Sequence, residues 1–231
     1  RGIVICFRNV LERHGHTGIS DEAIKRTIGK TLEDSFSLLS GITAPETLAE
    51  YKKEYVKEAD TYMTVNTFFF PETVTVLKTL KSQGAQIGII STKFRFRIRE
   101  MVDQHFPKDF FDIIIGGEDV KQAKPDPQGI KKALRRLHRQ KNETLYIGDS
   151  TVDAETAQAA KVDFVGVLNG MTTREELIVY PHRQILDNLS LLPLIHKFTP
   201  YEPDKHFPEK FFYSSYFPQK IVAFYKLFHQ K

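Results

Sequence analysis

Through the first sixty residues, hydrophobic positions recur every three or four places; beyond that they gather into short unbroken apolar runs set between further helical stretches. Ile5, Val10 and Leu11 mark an apolar helical stripe that stops near Gly15. Ser20-Asp21-Glu22 is a helix start, with a hydroxyl to cap the first amides and carboxylates in the first turn. Thr31-Leu32 opens another helix that runs to Leu39 and is closed by Gly41, and a fourth spans 45–59. From about Phe68 the pattern alternates. Helices are expected over 74–80, 98–105, 129–138 and 154–160, and strands over 85–90, 112–115, 144–147 and 164–167, with a last short strand at 184–186. Strands this apolar, separated by helices, predict a parallel sheet covered on both faces.

The expected fold class is α/β: a Rossmann-like parallel-sheet core joined to an all-α helical module. The boundaries fall at 1–66 for the helical domain, 67–196 for the α/β core and 197–231 for an aromatic-rich C-terminal extension. That extension carries Phe198, Tyr201, Phe207, Phe211-Phe212-Tyr213 and Tyr216-Phe217 among prolines at 200, 203, 208 and 218. Two readings fit it. It is a proline-punctuated wrap over the core ending in a short amphipathic helix over 221–228, or a cover for a partner or membrane surface.

Composition narrows the setting. With 231 residues and 41% hydrophobic content the chain can bury a substantial core. A single cysteine, Cys6, excludes an intramolecular disulfide and fits a reducing, cytoplasmic location. No run approaches the length of a membrane span, and no leader pattern opens the sequence. The net charge of +4 raises nucleic acid as a partner, with Lys131-Lys132, Arg135-Arg136, His138-Arg139 and Lys141 as the densest basic cluster. Ile130, Ala133, Leu134 and Leu137 interleave with it at helical spacing, however, which describes an amphipathic helix with a solvated face; no nucleic-acid partner is expected.

In open parallel sheets the ligand site lies beyond the carboxyl ends of the strands. Three such ends carry suggestive groups. Ser91-Thr92-Lys93 offers hydroxyls and backbone donors to an anion; Lys124, in Lys124-Pro125-Asp126-Pro127, offers an ammonium on a stiffened loop; and Asp149 and Asp153 bracket a turn after an apolar strand, where a bound cation would offset the cost of desolvating them. Hydroxyl, fixed cation and a carboxylate pair suited to Mg2+ are the components for binding and cleaving a phosphate ester.

In this order the motifs resemble the haloacid dehalogenase superfamily of phosphohydrolases, in its phosphoglycolate-phosphatase-like branch with a helical cap. Ile89-Ile90-Ser91-Thr92-Lys93, Lys124-Pro125-Asp126-Pro127 and Ile147-Gly148-Asp149-Ser150-Thr151-Val152-Asp153 match its second, third and fourth motifs. Thr27-Ile28-Gly29-Lys30-Thr31-Leu32 resembles the cap loop that faces the active site. The likeness covers roughly residues 3–195. It implies that Ser91, with Thr92, binds the transferring phosphoryl group, that Lys124 neutralises it, that Gly29 belongs to the substrate-binding loop, and that Asp149 ligates magnesium. Asp153 either ligates the ion as well or supports the site through hydrogen bonds.

One component is missing. Family members attack phosphorus with an aspartate of an Asp-x-Asp motif at the end of a central first strand, and the 231 residues contain no Asp-x-Asp. The opening residues 1–7 align with the helix that follows it, so the expectation is an N-terminally truncated sequence whose core lacks its first strand, leaving apolar sheet edges. The parent is then a Mg2+-dependent phosphatase of small phosphate esters acting through an aspartyl-phosphate, and the chain as given is inactive. The alternative is a catalytically silent phosphate-ligand binding or interaction protein of the same fold. The expected partner is a small phosphorylated metabolite; a mutase or phosphonate hydrolase is a third option, and substrate and oligomeric state stay open. Two decoys are set aside. Gly29-Lys30-Thr31 mimics the end of a P-loop but has Ile24 where its first glycine belongs, and His14 and His16 lack further metal ligands.

Overall fold

The computed structural model describes residues 2–194, 221–224 and 228–229. Four helices form a bundle at the N-terminal side: α1 (Gly2–Arg13), α2 (Asp21–Arg26), α3 (Leu32–Ser40) and α4 (Pro45–Tyr62). The expected signals set their ends. Ser20 Oγ accepts the Ala23 amide at 3.1 Å, Thr31 Oγ1 accepts the Asp34 amide at 3.1 Å, and Gly41 closes α3 at a φ of +76°. The buried face of α1 carries Ile3, Val4, Cys6, Phe7, Val10 and Leu11, so Val10 and Leu11 lie on it as expected while Ile5 is only half-buried. Phe36 sits at the centre of this bundle, its ring 4.7 Å from Phe7 and 5.4 Å from Tyr51.

The remainder is the expected α/β layer with four elements beyond it: β1 (Phe68–Phe69), α5 (Thr73–Ser82), β2 (Gln86–Ile90), α6 (Arg95–Val102), β3 (Ile113–Ile115), α7 (Gln128–Arg136), β4 (Thr144–Gly148), α8 (Thr151–Ala160), β5 (Asp163–Val167), α9 (Arg174–Leu177), β6 (Gln184–Leu186), β7 (Ile221–Phe224) and β8 (Phe228–His229). The unexpected elements are β1, α9, β7 and β8. Six strands pair in parallel in the order β3-β2-β7-β4-β5-β6, while β1 and β8 form a separate antiparallel pair. Side chains alternate across the sheet. Ile87, Ile89, Leu145, Ile147, Val165 and Val167 pack towards α5 and α6, whereas Ile90, Tyr146 and Phe164 pack towards α7 and α8.

The C-terminal strand corrects two expectations. Residues 221–224 are not the start of an amphipathic helix, and the sheet has no gap at its centre. β7 runs between β2 and β4, with Phe224 paired to Ile89 on one side and to Ile147 on the other. Ile-Val-Ala-Phe is too short to display a helical or strand period, but two open strand edges offer its backbone partners on both sides, and a central position accepts a continuous apolar run. The aromatic and proline positions expected to wrap the core between 195 and 220 lie outside the described residues. No helix among the described residues is long and apolar enough to cross a membrane.

Candidate phosphate and metal site

The carboxyl ends of β2 and β4 and the loop after β3 meet at one rim. Ser91 continues the β2 ladder, its amide donating to the Ile115 carbonyl at 3.0 Å, and its Oγ accepts the Lys93 amide at 3.1 Å. The turn that follows is pressed against the loop after β3: a side chain at Gly117 would start 2.6 Å from the Thr92 carbonyl oxygen, and the Gly117 amide donates to the Lys93 carbonyl at 2.9 Å. Glycine is required there by close approach.

Lys124 lies in that same loop and is almost fully buried. Its Nζ donates to Asp153 Oδ1 at 2.7 Å, and Asp153 itself is 0% exposed on the first turn of α8. Asp153 is heavily engaged. Tyr146 Oη donates to the same oxygen at 3.2 Å, and Ser150 Oγ, the cap of α8, donates to Oδ2 at 2.6 Å. Gly148 makes room for this carboxylate, since a Cβ there would meet Asp153 Cβ at 2.3 Å. Burial pushes the Lys124 ammonium down to about 8, against the pull of Asp153 and, more weakly, of Asp149.

Asp149 follows β4 directly and is 3% exposed. It rests against Gly170 in the loop after β5, where a Cβ would stand 2.1 Å from Asp149 Oδ2. Next to Gly170, Asn169 carries a buried Oδ1 without a hydrogen-bond partner among the described residues, while its amide reaches Glu72 at 3.4 Å. The buried Asp149 carboxylate and the orphaned Asn169 amide oxygen, on either side of the space that Gly170 leaves open, are hard oxygen donors of the kind Mg2+ takes. Among the described residues no group of three or more carboxylates, histidines or cysteines is clustered as a metal cage.

Lys124 and Asp153 are thus in contact, with Asp149 close enough to act on the Lys124 charge, while Ser91 and Thr92 stand at the carboxyl end of β2 on the same side of the parallel sheet. Gly29 is a buried residue at a φ of +114° in the turn between α2 and α3, and among the described residues no hydrogen bond links it to the rim. Three residues earlier, Arg26 reaches Glu176 on α9 at 3.4 Å, across the seam between bundle and sheet. Sequence reasoning missed Tyr146, Gly170 and Asn169. Tyr146 reads as one more apolar residue of a buried strand, and Gly170 and Asn169 fall in a loop without a motif. The set-aside pair follows the end of α1, but its imidazoles, expected to be solvated, are half-buried and bonded to α4, His14 to Glu54 at 2.9 Å and His16 to Tyr51 at 3.0 Å.

Residues 1–167 match the family described as haloacid dehalogenase-like hydrolase. The pyrophosphatase PpaX of Bacillus mycoides (strain KBAB4) is 30% identical over 201 residues, covering 84% of this chain and 88% of that protein. The crystal structure of a haloacid dehalogenase-like hydrolase from Bacteroides fragilis superposes with a TM-score of 0.82 at 59% identity, over 83% of this chain and 91% of that one. A phosphoglycolate phosphatase predicted in Haemophilus somnus 129pt superposes with a TM-score of 0.76 at 15% identity, over 85% of this chain and 91% of that one, a likeness that shows the fold alone.

Proposed function

Because this chain belongs to the haloacid dehalogenase-like hydrolase family, a family whose relatives here include phosphoric ester hydrolases, we propose that its rim is the phosphate- and Mg2+-binding centre of a phosphatase acting on small phosphate esters or pyrophosphate. The observation that carries this reading is the buried Lys124–Asp153 pair standing beside Asp149. A charge so fully removed from water is costly to keep for stability alone, and its shared position with a second carboxylate suits a dianion bridged to a divalent ion.

In this reading Ser91 and the Thr92 turn donate to phosphate oxygens, and Lys124 supplies positive charge to the phosphoryl group. Asp149 holds Mg2+, with Asn169 Oδ1 as a further oxygen donor. The bound ion would tie the phosphate to the protein and offset its charge. Asp153, with both oxygens already engaged, fixes Lys124 and belongs to the support of the site. The helical bundle is the cap, residues 1–66, and Gly29 lies in its substrate-facing loop; residues 67–196 are the core. Phosphoryl transfer through an aspartyl-phosphate needs a carboxylate that no Asp-x-Asp in these residues supplies. A second reading, a phosphate-ligand binding protein without turnover, is favoured by β7: the strand at the sheet's centre comes from a stretch, 221–231, with no Asp or Glu.

Calorimetric titration with orthophosphate in the presence and absence of Mg2+ tests the site. Saturable binding that needs Mg2+ and is lost in Lys124→Ala and Asp149→Asn is expected. Equal binding without the metal, or binding untouched by both substitutions, overturns it. Adding an upstream segment with an Asp-x-Asp strand, able to take the place of β7 between β2 and β4, should then give Mg2+-dependent release of phosphate from p-nitrophenyl phosphate.

A further inference from the structure

The rim is assembled from two half-sheets that share no ladder with each other among the described residues. β2 and β3 form one half, which carries Ser91 and, in the following loop, Lys124; β4, β5 and β6 form the other, which carries Asp149 and leads into α8 with Asp153. β7 joins them. Gln86 to Ile89 pair with Ile221 to Phe224 on one side, and Thr144 to Ile147 pair with the same four residues on the other. Ser91 and Asp149 each lie two residues beyond a partner of Phe224. With neighbouring strands about 4.8 Å apart, β7 holds the two strand ends about 10 Å from each other and at one level. The Lys124–Asp153 ion pair crosses the same seam at 2.7 Å.

We propose that insertion of the C-terminal strand is coupled to assembly of the anion site: residues 221–224 hold the two halves of the rim in register, and an anion bound at the rim holds the strand in place. This rests on the phosphate reading given above. Removing β7 would strip ladder partners from β2 and β4 at once, leaving the Lys124–Asp153 pair and side-chain packing, but no described backbone ladder, to set their relative register. The strand is short, residues 195–220 separate it from the preceding 3-10 helix, Leu189–Leu194, and the described element that follows, β8, pairs with β1 outside this sheet. It can therefore leave without pulling another described element through the sheet. The bundle has its own apolar cluster and does not depend on it. Two events that each favour the same arrangement of the rim stabilise one another reciprocally.

The full chain and Val222→Pro are compared by hydrogen exchange and by orthophosphate titration with Mg2+, since proline cannot pair in a central strand. The variant is expected to lose protection at amides 87–90 and 145–148 and to bind orthophosphate at least tenfold more weakly, while saturating orthophosphate raises protection at 221–224 in the unaltered chain. Protection and affinity unchanged by V222P overturn the proposal and leave the phosphate reading intact. Absent orthophosphate binding in the unaltered chain overturns both the coupling and the phosphate reading, even where V222P still loosens both half-sheets. Cys6 distinguishes local loss from global unfolding, because burial pushes its thiol up to about 12 and a folded bundle keeps it unreactive. A second variant avoids the folding question. Ile87 and Val222 are register partners, so Ile87→Cys with Val222→Cys should cross-link under mild oxidation and bind orthophosphate undiminished. Failure to cross-link in the native protein overturns the proposal.

Discussion

The helical bundle and the sheet rim bury side chains on opposite terms. In the bundle the interior is apolar and aromatic, with Phe36 between Phe7, Tyr51 and Tyr55, and the charges lie outside or at its edge, as in Arg13 with Glu54 and Glu58. At the rim, three ionisable groups, Lys124, Asp149 and Asp153, are removed from water within one stretch of structure. Apolar burial stabilises by area and needs no particular partner, whereas a buried charge is tolerable only while its partner stays in place. The bundle is therefore held by apolar area and the rim by specific charge pairing.

The sharpest test of that contrast removes one group from each region. Asp153→Ala should cost about 3–5 kcal/mol in urea unfolding, because Lys124 is left buried without its carboxylate. Phe36→Ala should cost a similar amount, about 3–5 kcal/mol, through a cavity in the bundle. The two losses should differ in character: the first should vary with pH across the titration of Lys124 and the second should not. A pH-independent loss in Asp153→Ala would break the comparison.

Gly170→Ala tests the rim without removing any charge. The added methyl displaces Asp149, and Mg2+-dependent orthophosphate binding should fall about 10–100-fold, as for substitutions that reorient a metal ligand, while the unfolding midpoint moves little. Full binding in this variant would remove Asp149 from the site.

The smallest effect is a pH dependence. Lys124 titrates near 8 in the folded protein and at its ordinary value, 10.5, when unfolded. Between these values the unfolded chain binds more protons, so the contribution of this group to stability rises with pH across that window. Orthophosphate affinity should move the other way, falling as pH climbs through about 8 and the ammonium loses its charge. Affinity flat from pH 7 to 9.5 would place the anion elsewhere.

Much of this molecule was legible along the chain. Ser20, Thr31 and Gly41 set helix ends through contacts within a few residues, and the apolar runs of β2, β4 and β5 announced a buried parallel sheet. Ser91, Lys124 and Asp149 could be singled out because each follows a strand in a sheet whose ligands gather at one end. Tyr146 and Asn169 could not, since a buried tyrosine and a loop asparagine acquire meaning only from what they touch. Nor could the division of labour between the two aspartates: their spacing is the same whether Asp153 meets a metal or, as here, Lys124, Tyr146 and Ser150.

The sequence by itself determined eight of the nine described α-helices, the five strands β2 to β6 and the charged groups of the rim, because caps, periodicity and strand ends act over a few residues. Tertiary structure alone decided that Ile221–Phe224 is a strand at the centre of the sheet. Four apolar residues carry no period of their own, and their conformation is fixed by hydrogen-bonding edges at 86–89 and 144–147, far away along the chain.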